Sequence, residues 1–276
     1  MEIRTLESTS IEELLFVFNK SFENYFVPFN LSLEQLQFKV KVDNIQFDLS
    51  VGMFNDEKLV GFIVHGLNAD EQCVYNGGTG VIGPYRGMGI TKKMYDYIFP
   101  ILRENGIKHS KLEVIKENIV ARKVYESVGF KKYRLLSCMR TEKEIVSTDT
   151  YKIHTYTTDE IISDPIVNDM IPAWQSSIQS INLQKEKLKQ YVVKENNSVI
   201  GNLIINATNR ILRLNVHKDY RRRGIGKALL SHTSKKNTNL SVLNLDASND
   251  EVIGFFRSQG FDIYLNQYEM RKDLSE

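Results

Sequence analysis

Cysteine is nearly absent from this chain: Cys73 and Cys138 are the only two in 276 residues, and neither has a second Cys or a His at a metal-ligand spacing. A disulfide framework and a metal site are therefore not expected, and both thiols read as small buried apolar groups in a reducing compartment. No apolar run reaches the roughly 20 residues that a membrane-spanning helix needs. The opening Met1-Glu2-Ile3-Arg4 lacks the basic-then-apolar order of a signal peptide, so a cytoplasmic location without membrane partners is expected. An excess of one charge is also missing: 36 Lys and Arg face 34 Asp and Glu, a formal net charge of +2 that argues against nucleic acid as a partner. What remains is ordinary globular material, 42% apolar and 25% charged, long enough for two domains.

Two capping-box spacings, Ser10 with Glu13 and Ser32 with Gln35, predict two helices near the start, the first carrying Leu14, Leu15, Phe18 and Phe22 on one face. Between them lies an aromatic segment of Phe22, Tyr25, Phe26 and Phe29, open to two readings: a wall of a ligand pocket, or packing against a sheet. Strands are expected over 47–54 and 59–64, joined by the turn residues Asn55-Asp56-Glu57-Lys58, and over 71–82, where Gly77-Gly78 marks a bulge or a close approach. Ile90, Met94, Ile98, Ile101 and Leu102 then mark a helix that Gly106 stops and that Pro100 should kink or reset. A strand over 111–115 and a helix with Ala121, Val124 and Val128 on one face follow.

The same order then repeats. Tyr220-Arg221-Arg222-Arg223-Gly224-Ile225-Gly226 answers Tyr85-Arg86-Gly87-Met88-Gly89-Ile90-Thr91, and Asn249 stands to Gly260-Phe261 and Met270-Arg271 as Asn118 stands to Gly129-Phe130 and Met139-Arg140. Such matched separations identify an internal duplication, contracted near residues 234–239. The mostly polar stretch after residue 141 supplies a linker. The expected domains are 1–142 and 151–276, joined by 143–150, each an α/β (α+β) fold with a mixed sheet and helices on both faces.

A glycine loop between a strand and a helix suits an anion, because the free amides and the dipole of the helix start favour negative charge. Neither copy completes the P-loop pattern or Gly-x-Gly-x-x-Gly, so nucleotide hydrolysis and dinucleotide binding are not supported. What is present is Arg-x-x-Gly-x-Gly, complete in the second copy and ending in Thr91 in the first, followed in both by Asn-x-x-Ala/Val-x-x-x-Tyr/Phe-x-x-x-Gly-Phe.

This combination resembles the GCN5-related N-acetyltransferase superfamily, over both halves. The resemblance implies two tandem acyl-CoA N-acyltransferase folds, with acetyl-coenzyme A as cofactor and the primary amine of a small molecule or peptide as acceptor. It implies that Thr79, Gly80, Val81, Arg86, Gly87, Met88, Gly89, Ile90, Thr91, Lys92 and Asn118 hold the cofactor in the first half. A second cofactor site would comprise Leu214, Asn215, Val216, Arg221, Arg222, Arg223, Gly224, Ile225, Gly226, Lys227 and Asn249. The triple arginine reads either as charge near phosphates or as a solvated basic face. By the same resemblance Tyr125 is the general acid, and Glu113 the general base, as in ribosomal-protein alanine acetyltransferases. Phe256 and Asn244 stand at the corresponding second-half positions, and neither side chain handles protons near neutral pH. The expectation is an active first half and a degenerate second half in a monomer or homodimer. A catalytic second half and a non-enzymatic acyl-CoA sensor or scaffold stand as alternatives.

Overall fold

Both N-terminal helices begin where a hydroxyl replaces a missing backbone partner. In the computed structural model, which describes residues 1–23, 25–26, 29–148, 150–157, 166, 170–236 and 238–275, strand β1 (Glu2–Thr5) is followed by α1 (Ile11–Ser21) and α2 (Leu33–Val42). Ser32 and Gln35 form the full reciprocal capping box on α2. On α1 only half of the expected box forms. Ser10 Oγ accepts from the Glu13 amide at 3.1 Å, but the Glu13 carboxylate turns to the Leu59 amide at 2.9 Å, tying the helix to a hairpin.

That hairpin joins β2 (Ile45–Asn55) to β3 (Lys58–Asn68) through Asp56 and Glu57, both at positive φ. There follow β4 (Cys73–Val81), α3 (Ile90–Glu104), β5 (His109–Ile115), α4 (Ile119–Ser127) and β6 (Lys131–Thr141). The second copy supplies β7 (Ile153–Thr157), α5 (Ile178–Leu183), β8 (Leu188–Glu195), β9 (Ser198–Asn206), β10 (Arg210–Val216), α6 (Ile225–Ser234), β11 (Leu240–Asp246), α7 (Asp250–Ser258) and β12 (Asp262–Asp273). None of the described helices is long and apolar enough to cross a membrane.

The chain forms two compact units, residues 1–133 with 268–276 and residues 134–267. In the first the strand order is β1-β2-β3-β4-β5-β12, antiparallel through β4 and parallel between β4 and β5; in the second it is β6-β11-β10-β9-β8-β7, with β10 and β11 parallel. These units cross the repeat that divides the sequence near 143–150, because each takes its last strand from the other copy. Met270 and Leu274 are buried in the first core, and Met139 in the second. Met139 and Met270 are equivalent in the repeat, so either strand satisfies either core. Ile145, inside the polar linker stretch, is also buried in the second core, and its amide donates to Ser234 Oγ.

In the first unit α1 and α2 cover one face of the sheet with Leu14, Val17, Phe18 and Leu36, while α3 and α4 cover the other. Burying a side chain such as Ile98 or Leu102 contributes about 1.5–3 kcal/mol, and the α3 face holds many of them. Pro100 does not reset the register of α3, which runs through it to Glu104 with Ile98 and Leu102 both buried. Pro100 is exposed, as is Asp96 one turn earlier, so the carbonyl that loses its partner is on the solvent side of the helix. Gly106, at φ +75°, closes the helix as expected, its amide donating to the Arg103 carbonyl at 2.9 Å.

His65 on β3 is fully buried between the sheet and α3, its Nδ1 donating to the Leu49 carbonyl at 2.7 Å. Burial disfavours the imidazolium and lowers its pKa to about 4. The folded value lies below the unfolded one, so this stabilisation is complete above pH 6.5 and fades as the pH falls through 4. The whole term is about 3 kcal/mol. His65→Ile, which copies Ile205 of the second unit, should flatten the stability of the protein between pH 6.5 and 4, as read by chemical denaturation at a series of pH values. An unchanged slope would show that other groups cause it.

Candidate active site

The site is built on a fault in β4. His65 pairs with Asn76 and Val64 with Gly78, leaving Gly77 as the extra residue of a β-bulge, as the Gly77-Gly78 pair suggests. Glycine is required nearby because α1 lies on the backbone: a Cβ on Gly78 would come within 3.1 Å of the Phe18 ring, and one on Gly80 within 2.6 Å of Phe62 and Ser21. Strand β5 accompanies β4 only from the pair Cys73–His109 to Asn76–Leu112. Beyond it the parallel strands part, and the backbone of 77–81 borders a cleft.

At the end of that cleft the loop turns into α3. Gly87 and Gly89 have φ of +78° and +69°, and a Cβ on either would meet nothing within 4 Å. Gly89 precedes a helix of 15 residues with no side-chain cap among the described residues and no acid in its first turn, so the first-turn amides of Ile90, Thr91 and Lys92 have no capping side chain. This open cradle fits a pyrophosphate. The Arg86 side chain is used elsewhere: its guanidinium donates to the Val81 carbonyl at 2.9 Å and the Ser21 carbonyl at 2.8 Å, fastening α1 to the end of β4. Lys92 pairs with Asp96 at 2.8 Å, and the Met88 side chain is exposed. Asn118 caps α4, its Oδ1 accepting from the Ala121 amide at 3.0 Å while its Nδ2 donates to Tyr25 Oη at 3.4 Å.

Phe18 and Phe22 pack their rings 4.9 Å apart, with Phe18 stacked on Phe62 of the sheet, while Tyr25 reaches Asn118 and Phe26 is exposed.

Tyr125 projects from α4 into the α3 face, buried, with its ring 6.2 Å from Tyr95 and 6.0 Å from Phe130. Burial pushes its phenol up to about 12, while interactions with the Thr79 hydroxyl and the Asn76 amide oppose that shift, so the group stays protonated through the neutral range. Asn76 organises these contacts. Its Nδ2 donates to Thr79 Oγ1 at 2.7 Å and to Tyr95 Oη at 2.6 Å, and its Oδ1 accepts from the Gly78 amide at 2.9 Å, bracing the bulge. Asn76 and Tyr95 escaped the sequence reading, since a strand Asn and a helix-core Tyr carry no motif. Comparison of the repeats supplies the missing signal, because Ile211 and Leu230 stand in their places.

Glu113 lies on the other face of the sheet. Leu112 and Val114 point into the α3 core, so alternation turns Glu113 away from it, and Tyr75 Oη donates to its carboxylate at 3.0 Å. The sheet therefore carries a phenol on one face and a carboxylate on the other.

The second unit repeats the scaffold with different chemistry. Leu212 is the extra residue of the matching bulge, and β10 and β11 pair only at Arg210–Ser241 and Ile211–Val242 before parting. A cavity of about 670 Å³ opens there, walled by Leu214, Asn215 and Val216, with Gly224 to Lys227 at one end and Asn249 beside it. The Asn215 amide nitrogen is buried without a hydrogen-bond partner among the described residues.

Each of the three arginines has local work. Arg221 donates to the Val216 carbonyl at 3.2 Å as Arg86 does to Val81, Arg222 pairs with Glu251 at 3.2 Å, and Arg223 lies over the Tyr220 ring. A Cβ on Gly226 would come within 3.1 Å of the Phe255 ring; the first unit has Val124 at that place, which explains how it accommodates Thr91. Phe256 is buried where Tyr125 stands in the first unit. Asn244 sits at φ +57° in a bulge of β11, bonded to Gln267 at 2.9 Å and Gln175 at 3.3 Å, so it serves the strand's conformation.

The model of the "Acetyltransferase (GNAT) family" matches residues 14–130, and that of the "Acetyltransferase (GNAT) domain" residues 186–263. No curated protein sequence matches the chain. Among solved structures, the tandem GNAT protein from the clavulanic acid biosynthesis pathway superposes with a TM-score of 0.72 at 10% identity, over 100% of this chain and 99% of that one. A GCN5-related N-acetyltransferase from Sphaerobacter thermophilus gives 0.69 at 13% identity, over 99% and 95%. At such identities the likeness concerns the fold.

Arg222 adopts φ +62° at the position that Gly87 fills in the first unit. A left-handed conformation costs a non-glycine residue roughly 1–2 kcal/mol, more than an exposed ion pair such as Arg222–Glu251 returns. Arg222→Gly should therefore raise the stability of the second unit by about 1 kcal/mol in denaturant titration. A loss of stability would mean that the guanidinium contributes more than its exposed geometry implies.

Proposed function

The chain belongs to the acetyltransferase (GNAT) family in both of its halves, and from that membership we propose that it is an N-acetyltransferase whose chemistry takes place in the first unit. The acceptor is the primary amine of a small molecule or peptide. Acetyl-coenzyme A supplies the acetyl group as a thioester, activated by its leaving group. The loop amides from Gly87 to Lys92 hold its pyrophosphate, and the parted strands β4 and β5 receive the arm that carries the thioester. A backbone amide at Val81 or its neighbour polarises the carbonyl.

Glu113 takes a proton from the incoming ammonium, directly or through water, so that a neutral amine attacks. As the C–N bond forms and the C–S bond breaks, Tyr125 gives its phenolic proton to the departing sulfur, the acylated nitrogen sheds its surplus proton to water, and water returns a proton to the phenolate. A covalent enzyme intermediate is not part of this route: Cys73 and Cys138 are both buried, and burial pushes the Cys73 thiol up to about 11, away from the reactive thiolate.

The observation that carries the reading is the buried phenol of Tyr125 at the parted strands, with Glu113 on the opposite face and Phe256 and Asn244 in the other copy. The cavity of about 670 Å³ in the second unit favours a second role there: coenzyme binding without turnover.

Tyr125→Phe makes the first unit resemble the second at one atom. Thiol release from acetyl-coenzyme A with an amine panel should fall by about 10²–10⁴-fold, as expected for loss of a general acid. Calorimetric affinity for acetyl-coenzyme A should change less than about threefold. Full turnover in this variant would move the chemistry elsewhere, including to the second unit. Tight binding with no amine-dependent release in the native protein would favour a sensor.

A further inference from the structure

The duplication provides an internal control for the surroundings of Tyr125. In the first unit Tyr125, Thr79, Asn76, Tyr95 and His65 bring five polar groups to the α3 side of the sheet, four of them buried and Thr79 half-buried. Their counterparts in the second unit, by loop, helix and strand register, are Phe256, Leu214, Ile211, Leu230 and Ile205. Every polar member has become apolar, while the bulge and the parted strands around them persist. Packing alone therefore has an apolar solution on this scaffold, and the polar set is tied to the phenol it surrounds.

The hydrogen bonds run in one direction. Asn76 Nδ2 has two hydrogens, and they go to Tyr95 Oη at 2.6 Å and Thr79 Oγ1 at 2.7 Å. Its Oδ1 is held by the Gly78 amide, which fixes which end of the amide points at Thr79. With Oγ1 accepting from Asn76, the Thr79 hydroxyl keeps its own hydrogen to donate. The Tyr95 ring lies 6.2 Å from that of Tyr125, and of the side chains that favour the Tyr125 phenolate the Thr79 hydroxyl acts most strongly; a Tyr125 oxygen that accepts the Thr79 hydrogen directs its own O–H elsewhere.

We propose that Thr79, oriented by Asn76 and Tyr95, is a positioning residue that turns the Tyr125 O–H toward the cleft. The proposal rests on Tyr125 being the general acid. When the C–S bond breaks, the Tyr125 O–H bond breaks with it and an S–H bond forms; the phenolate left behind accepts the Thr79 hydrogen bond, which is strongest at that moment. Asn76 and Tyr95 keep the donor in place and themselves exchange no proton.

Thr79→Val preserves the shape of the side chain and removes only the hydroxyl. It should lower kcat by about ten- to a hundredfold, leaving KM and calorimetric Kd for acetyl-coenzyme A within about threefold of native, because the parted strand meets the coenzyme with the backbone of residue 79 while its hydroxyl is turned to Asn76. Thr79→Ser, which restores a hydroxyl, should keep kcat within about threefold of native. In the Thr79→Val/Tyr125→Phe protein the loss should equal that of Tyr125→Phe alone, because the two groups act as one unit. Full turnover in Thr79→Val beside a damaged Tyr125→Phe would overturn the positioning role while leaving the acid in place. Losses that multiply in the double variant would also overturn it. A Thr79→Val protein that loses coenzyme binding together with turnover would show that the hydroxyl serves structure. Native turnover in Tyr125→Phe would remove the underlying assignment of the acid, and the positioning role with it.

Discussion

The parting of two parallel strands after Asn76 and Leu112 is the constraint on which the first unit depends. A parallel pair is held by evenly spaced bonds along its whole length, so it separates only where one strand is forced to bend. The extra residue Gly77 bends β4, and the side chain of Asn76 fixes the bend by bonding the Gly78 amide on one side and Tyr95 and Thr79 on the other. Helix α1 presses on Gly78 and Gly80 from one face, Tyr125 approaches from the other, and Arg86 closes the end of β4 against α1. The cleft, the phenol and the amide cradle of α3 are consequences of that one bend.

The second unit shows how much of this belongs to the scaffold. It keeps the bulge, the parted strands, the positive-φ loop and the arginine that returns to the strand end, and it encloses a cavity of about 670 Å³. It discards the polar set around the phenol and substitutes ring and aliphatic packing. Binding geometry and proton chemistry are thus separable layers of one fold, the first set by glycines and backbone, the second by a few side chains on β4, α3 and α4.

Much of this was legible in the sequence because it is local. Capping residues, the hairpin turn, the paired glycines of β4, the loop and the fixed separations to Asn118 and Asn249 each express a preference within a few residues or a repeat. What stayed hidden is non-local. Nothing in residues 131–141 or 262–273 says which sheet each strand completes, since equivalent methionines suit either core, and the exchange of last strands appears only in three dimensions. Arg86 belongs to a phosphate-loop motif, yet its guanidinium is spent on two carbonyls, one of them 65 residues away in sequence. Pro100 leaves the register of α3 unchanged, because the carbonyl of Asp96 that loses its partner is on the solvent side of the helix. Asn76 and Tyr95 carry no motif at all, and they join Tyr125 only in three dimensions, through the hydrogen bond between them and the contact of the Tyr95 ring with that of Tyr125.

The central claim is that the thioester sulfur is delivered to Tyr125 in the first unit. A crystal structure of the protein with coenzyme A tests it directly: the pyrophosphate should sit on the amides of Gly87 to Lys92, and the sulfur within about 3.5 Å of Tyr125 Oη, hydrogen-bonding range for a thiol. A coenzyme bound in the second unit alone, or one whose sulfur lies away from Tyr125 in the first, would contradict the account.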